Sequence, residues 1–307
     1  MIEFREPVTD AEWQALCDIR NLYHWNDAIS VERVRSLYDI GRTQRTEFRL
    51  NAFEDGQTAA YVGGSENKNA GEEGVFWAYA GFDPSSPRAK ELASVCWNHL
   101  VQILPGFGCR KAQLETRSTY ECEIEVLEEL GFEKSMTLPF SGVMVQETNF
   151  TRHPDVVSYA EYAAQRPDDW LKKLWRLEMD ICADLPLPYP FVETPYETFA
   201  ERVNDPTVDK RTKYLMKQGD EIVGMTQLWY STVTPQYAAT GLTGSLRSVR
   251  RQGVATKLKQ HSLAIAKEDG IEQVFTDNEE NNPMFILNQQ LGFKKIFDYY
   301  VYSKNVG

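Results

Sequence analysis

The chain has 307 residues, enough for about two ordinary domains, and its 42% hydrophobic and 25% charged residues suit packed cores and exclude a disordered chain. A formal net charge of −12 argues against general nucleic-acid binding, which rests on neutralising phosphates, while it permits cationic substrates. The five cysteines, Cys17, Cys96, Cys109, Cys122 and Cys182, form no C-x-x-C pair and leave one over in any disulfide scheme, so reduced thiols and a cytoplasmic location are expected.

The opening MIEFREPVTDAEW has no apolar signal core, and no run approaches the about 18 apolar residues of a membrane span. Helical patterns occupy residues 10–22 and 31–39, strand-like runs 48–53, 59–63 and 75–82, and a further helix 88–103. A helix-like segment at 121–130 precedes an aromatic strand at 140–145. The polar stretch 147–155, ETNFTRHPD, reads as a linker. Beyond it come helices at 170–183 and 196–203 and strands at 214–217, 222–230 and 238–246, the first two joined by the hairpin signal Gln218-Gly219-Asp220. A long helix at 253–269, a strand at 273–276, a helix at 283–291 and a strand at 297–302 follow. This alternation predicts an α/β fold (an α+β mixed sheet) in each half.

A repeat supports two similar halves. Leu130-Gly131-Phe132-Glu133-Lys134 returns 161 residues later as Leu291-Gly292-Phe293-Lys294-Lys295. Each copy follows a helix and precedes an aromatic strand. Gly131 and Gly292 stand where a helix C-terminus favours a residue able to take positive φ.

The chemistry concentrates in residues 240–293. A strand ends near Leu246, and Arg250-Arg251-Gln252-Gly253-Val254-Ala255-Thr256 opens an amphipathic helix. Amide groups at such a start form an anion site, aided by the helix dipole. Gly253 and Ala255 keep side chains out of the way of a pyrophosphate, and Thr256 adds a hydroxyl. Arg247, Arg250, Arg251, Lys257 and Lys259 reverse the sign of an acidic protein here. The bland alternative is a solvated basic helix start with a packing glycine. The spacing fits neither a Walker A loop nor a G-x-G-x-x-G dinucleotide fingerprint.

Arg250-x-x-Gly253-x-Ala255 resembles the [RQ]-x-x-G-x-[GA] pyrophosphate loop of the GCN5-related N-acetyltransferases (GNAT superfamily). Thr276-Asp277-Asn278-Glu279-Glu280-Asn281-Asn282-Pro283-Met284 and Leu291-Gly292-Phe293 resemble that family's T-x-N-x-x-N-x-x-M…LGF ending. The resemblance covers residues 180–302; over the first half it extends to element order and the LGF-type ending. It implies two tandem GNAT-like domains, each a mixed, mostly antiparallel sheet flanked by helices: residues 1–148, a degenerate copy not expected to bind coenzyme A, and 156–307, an acyl-CoA-binding domain. It further implies that Ser245, Leu246 and Arg247 offer backbone groups to the pantetheine arm and thioester. Arg250 and Arg251 supply charge, the amides of Gln252, Gly253, Val254, Ala255 and Thr256 hold the pyrophosphate, and Asn281 bonds the pantetheine near the sulfur. Asn281 equally suits a helix N-cap before Pro283.

The chain departs from the family in two places. Many members carry a tyrosine general acid four residues before the LGF glycine, where this chain has Asn288. Asn288 itself, Tyr300 and Tyr302 are the catalytic candidates, with Tyr299 beside them; such tyrosines also suit half-buried strand positions. The first half has SSPRAKELAS and no glycine where Gly253 would be, so lysine and glutamate side chains would crowd a bound pyrophosphate.

His24, His99, His153 and His261 make no metal-binding pair, and His261 reads as a surface or packing residue of the long helix. In residues 180–193, DICADLPLPYPFVE, Tyr189 and Phe191 offer apolar faces. With Glu178, the acids Asp180, Asp184 and Glu193 could receive a cationic amine or merely be solvated. Trp77, Tyr79, Trp229 and Tyr230 read first as strand core. The expected function is an acyl-CoA-dependent N-acyltransferase, with acetyl-CoA or another acyl-CoA as co-substrate, no metal, and a small-molecule amine as acceptor. No nucleic-acid or membrane partner is expected, and the chain would be a monomer or homodimer. The alternatives are a non-catalytic acyl-CoA sensor and a ligand-free structural protein.

Overall fold

The computed structural model describes residues 2–166, 168–187, 190–205 and 208–307, which fall into two compact units.

Unit 1 comprises residues 2–139, 232–234 and 297–307. Its elements are β1 (Glu3–Arg5), α1 (Asp10–Tyr23), α2 (Val31–Gln44), β2 (Glu47–Glu54), β3 (Gln57–Glu66), β4 (Val75–Phe82), α3 (Ala89–Ile103), β5 (Lys111–Arg117), α4 (Glu121–Glu129) and the first half of β6 (Glu133–Met144). A capping box starts α1: the Thr9 hydroxyl accepts from the Glu12 amide, and the Glu12 carboxylate accepts from the Thr9 amide. Strands β1 to β4 pair antiparallel, and β5 joins β4 in parallel through α3, as a strand–helix–strand crossover requires. Leu92, Ala93, Cys96, Trp97 and Leu100 of α3 pack on Val62, Phe76 and Phe82 of the sheet to form the core.

Unit 2 comprises residues 140–231 and 235–296. It holds the second half of β6, β7 (Val156–Ser158), α5 (Tyr159–Gln165), α6 (Trp170–Cys182), α7 (Tyr196–Asn204), β8 (Lys213–Gln218), β9 (Glu221–Tyr230), β10 (Tyr237–Thr240), β11 (Gly244–Ser245), α8 (Val254–Glu268), β12 (Gln273–Asp277), α9 (Pro283–Gln290) and the start of β13 (Lys294–Asn305). Its sheet runs β6-β12-β10-β9-β8-β7. The β10/β12 pair is parallel, and the other pairs are antiparallel. Leu258, Leu263 and Ala266 of α8 pack on Val223, Leu228 and Val274 of the sheet.

The compact units differ from the sequence boundaries 1–148 and 156–307 at their ends. Residues 299–305 of β13 hydrogen-bond to β5 and so belong to unit 1, while residues 140–144 of β6 pair with β12 in unit 2. The strand expected at 238–246 is broken into β10 and β11. Trp229 is not core: its side chain is 46% exposed and covers the amine of Lys213, 3.4 Å from the ring centroid. Strands β1, β5 and β7 and helix α5 have no counterpart in the sequence reading. The LGF repeat is structural. Gly131 and Gly292 take φ of 78° and 92°. In each turn the phenylalanine amide bonds the third-last helical carbonyl (Phe132 to Leu127, 2.9 Å; Phe293 to Asn288, 3.0 Å), while the glycine amide bonds Glu128 or Gln289. This is the Schellman arrangement.

Candidate functional site

Strands β10 and β12 run side by side from Tyr237–Gln273 to Ala239–Phe275, and the Thr240 hydroxyl donates to that of Thr276 at 2.6 Å. Beyond this point they part: β11 pairs with β9 alone, Gly244 facing Met225 and Ser245 facing Gly224. The start of α8 lies close against β9, since a Cβ on Gly224 would come 2.7 Å from Val254. The parting strands and the first turn of α8 therefore meet at one place.

The connection begins with the Leu246 amide donating to the Val223 carbonyl at 2.9 Å, so that donor is already engaged. A single turn over Arg247–Val249 follows. Arg250 is extended, Arg251 takes φ 61° and Gly253 takes φ 79°. A non-glycine residue in the left-handed region costs about 1–2 kcal/mol, and such strain concentrates at functional turns. The first helical bond of α8 runs from the Lys257 amide to the Gly253 carbonyl. The amides of Val254, Ala255 and Thr256 lie ahead of it, and no side chain caps the helix at Gly253. They form the positive end of the helix dipole, next to two left-handed residues that turn successive amides to one side. A Cβ on Gly253 would meet nothing within 4 Å, so the approach to this backbone is open.

Arg250, Arg251, Gln252 and Lys257 are exposed, and Ala255 and Thr256 are half-buried. Two of the arginines have an internal partner. Arg247 donates to both carboxylate oxygens of Asp184, and Arg250 donates to one of them. The hydrogen bonds from Arg247, then Arg250, hold the Asp184 carboxyl well below the usual carboxylate range.

Asn281 is exposed, and its amide nitrogen donates to Glu279 at 2.8 Å. It does not cap α9. The cap is Asn282, whose side chain accepts from the Met284 amide at 2.9 Å; Pro283 sits at the first helical position, so the capping residue is the one directly before it. Asn288 is fully buried. Its Nδ2 donates to Asn278 Oδ1 at 2.5 Å, and its Oδ1 has no partner among the described residues. Tyr300 and Tyr302 belong to unit 1. There Lys134 stands over the Tyr300 ring at 4.3 Å, and the buried Tyr302 donates to Glu128 at 3.0 Å. The structure thus gathers Ser245–Thr256, Asn281 and Asn288 in one unit and holds the two tyrosines in the other.

The acids near residues 180–193 are paired internally: Glu178 with Arg202, Asp180 and Glu193 with Arg176, and Asp184 with the loop arginines. Phe191 is half-buried, and Tyr189 lies outside the described residues. His261 is buried, accepts the His153 amide at 2.9 Å, and is pushed down to about 4 by burial, which fits a packing role. All five cysteines are thiols. Among the described residues, no cluster of three or more His, Cys, Asp or Glu could hold a metal, and no helix is long and apolar enough to cross a membrane.

Sequence reasoning passed over one group. Lys259 follows Leu258 on the buried face of α8 and is 2% exposed. Burial pushes its amine down to about 7, with Asp277 opposing. Its ammonium lies 5.4 Å from the centroid of Phe293. Burial raises the Asp277 carboxyl, with Lys259 opposing. The available signal is a lysine directly after Leu258 in the apolar stripe of α8.

These features describe a mixed-sheet fold in which an uncapped helix start lies beside parting strands. The model of the Acetyltransferase (GNAT) family matches residues 172–293. Among solved structures, a GCN5-related N-acetyltransferase from Sphaerobacter thermophilus is similar over 99% of this chain and 96% of its own, with TM-score 0.73 and 16% identity. The tandem GNAT protein from the clavulanic acid biosynthesis pathway matches over 100% and 99%, with TM-score 0.74 and 14% identity. An acetyltransferase of the GNAT family from Colwellia psychrerythraea matches over 99% of each chain, with TM-score 0.63 and 11% identity. No curated protein sequence matches significantly. The family model thus matches residues 172–293, and the chain as a whole is similar in fold to GNAT proteins, a tandem one among them.

Proposed function

We propose that this protein is an acyl-CoA-dependent N-acyltransferase, with acetyl-CoA as donor and a small amine as acceptor, and that unit 2 alone holds the donor. The observation that carries this reading is the start of α8. Two left-handed residues, open space over Gly253, and the amides of Val254, Ala255 and Thr256 suit a pyrophosphate, with Arg250, Arg251 and Lys257 supplying charge. The opening between β11 and β12 suits the pantetheine arm, which Asn281, in the turn between β12 and α9, would bond. The acyl carbonyl would be polarised by backbone amides along β11 while the uncharged acceptor amine attacks. The test has two parts: calorimetry with acetyl-CoA, then release of free thiol across a panel of primary amines. Binding with turnover supports the transferase. Binding without turnover by any amine favours the sensor, and no binding overturns the donor site.

A further inference from the structure

A buried polar group without a partner is costly, because it gives up water and gains nothing in return. The Oδ1 of Asn288 in unit 2 is such a group: it is buried and, among the described residues, unpartnered. Lys259 is 2% exposed as a residue, and among the described residues its amine makes no hydrogen bond or ion pair. Both adjoin Phe293: Lys259 stands 5.4 Å from its ring centroid, and the Phe293 amide bonds the Asn288 carbonyl at 3.0 Å. Asp277 acts on Lys259, and its neighbour Asn278 holds the Nδ2 of Asn288.

Two internal comparisons show that these groups are more than packing. The other buried lysine, Lys213, donates to the Leu228 carbonyl and to the Thr212 hydroxyl and lies over Trp229, so its cation is satisfied. In unit 1 the LGF phenylalanine, Phe132, meets Trp97 at 5.8 Å between centroids, and the Trp97 indole donates to Glu123 at 2.9 Å. Beside its LGF phenylalanine unit 1 thus has a hydrogen-bonded indole, whereas beside its own unit 2 has the ammonium of Lys259. That amine faces Phe293, whose amide bonds the main-chain carbonyl of Asn288, the residue in place of the usual tyrosine acid.

We propose that the ammonium of Lys259 faces the sulfur of the bound acyl-CoA and gives the departing thiolate its proton. This rests on the donor site proposed above. The acceptor nitrogen bonds to the thioester carbon, the C–S bond breaks, and sulfur leaves with the electron pair. Lys259 passes one proton to that sulfur. The proton lost by the acceptor nitrogen goes to solvent water, from which Lys259 is recharged. Burial makes the transfer downhill. An ordinary lysine near about 10.4 holds its proton against a thiolate near about 8.5, whereas an amine pushed down to about 7 releases it.

The test compares coenzyme A with desulfo-coenzyme A, which lacks the sulfur, by calorimetry at pH 6, 7.5 and 9 on wild type and on Lys259→Met, an apolar replacement of similar length. The expected result is that wild type prefers coenzyme A by about tenfold near pH 7.5, the equivalent of one unit of thiol pKa. The Met variant binds both ligands equally and keeps wild-type affinity for desulfo-coenzyme A, which also reports that it folds. Equal affinities for the two ligands in wild type overturn the assignment of Lys259 and leave the donor site standing. Failure of wild type to bind either ligand overturns the donor site and this inference with it.

Discussion

Helix α3 of unit 1 and helix α8 of unit 2 each follow a strand and lead to a strand parallel to it, yet their first turns have opposite character. At α3 the capping position is Arg88, with φ −99°. Its guanidinium is clamped by both carboxylate oxygens of Glu54 and of Glu91, while Asp83 folds back onto Ser85. Carboxylates already stand around that helix start, and they repel an anion. At α8 the backbone passes through the left-handed region twice, the capping position is a glycine with open space above it, and the surrounding side chains are cationic. Deeper in unit 1, Glu123 is buried and accepts from Tyr23, Trp97 and Thr116, whereas in unit 2 the Lys259 ammonium stands over the Phe293 ring. The two helix starts thus differ in backbone conformation and in the charge gathered around them.

Each prediction tests one side of that contrast. The largest effect is expected for Gly253→Val, which puts a branched side chain at φ 79° where a pyrophosphate would approach. Acetyl-CoA affinity by calorimetry should fall about 100-fold or more, ~2.7 kcal/mol, with circular dichroism unchanged; undiminished affinity would remove the distinction between the two helix starts. Glu123→Ala should destabilise unit 1 by about 2–4 kcal/mol, because three buried donors lose their acceptor. Urea unfolding would measure this, and coenzyme A binding should stay as it was. Asp184→Asn frees Arg247 and Arg250 from a competing carboxylate. Affinity should rise about 2–5-fold, the range of an exposed ion pair, and the gain should shrink as salt screens it. The last effect is a slope in stability rather than a change in affinity. Lys259 titrates near about 7 when folded, against about 10.4 unfolded. Between those values the unfolded chain holds a proton that the folded chain lacks, so stability rises with pH across that window. Lys259→Met should flatten that slope in urea melts at pH 7 and 10; an unchanged slope would place the amine in solvent.

Much of unit 2 was legible because its signals are local. Gly219, Gly253 and Gly292 mark backbone that takes positive φ, and the Arg250–Thr256 pattern reports a strand, a turn and a helix at one place. What escaped depends on long-range partners. The membership of β13 in unit 1 is set by its ladder with β5, and no single strand's composition states its partner. The break between β10 and β11 comes from β11 turning to β9 alone, in residues that alternate as one strand would. Asn282 rather than Asn281 caps α9, a one-residue choice between identical side chains. Lys259 was read with the surface cations because its burial depends on Phe293 and β12 arriving beside it, far along the chain.

The central claim is that one unit binds acyl-CoA and the other does not, and the stoichiometry of acetyl-CoA binding to the full chain tests it most directly. Titration calorimetry should give one site per chain for the wild type and none for Gly253→Val. Two sites per chain, or one site that survives in the variant, would contradict the account.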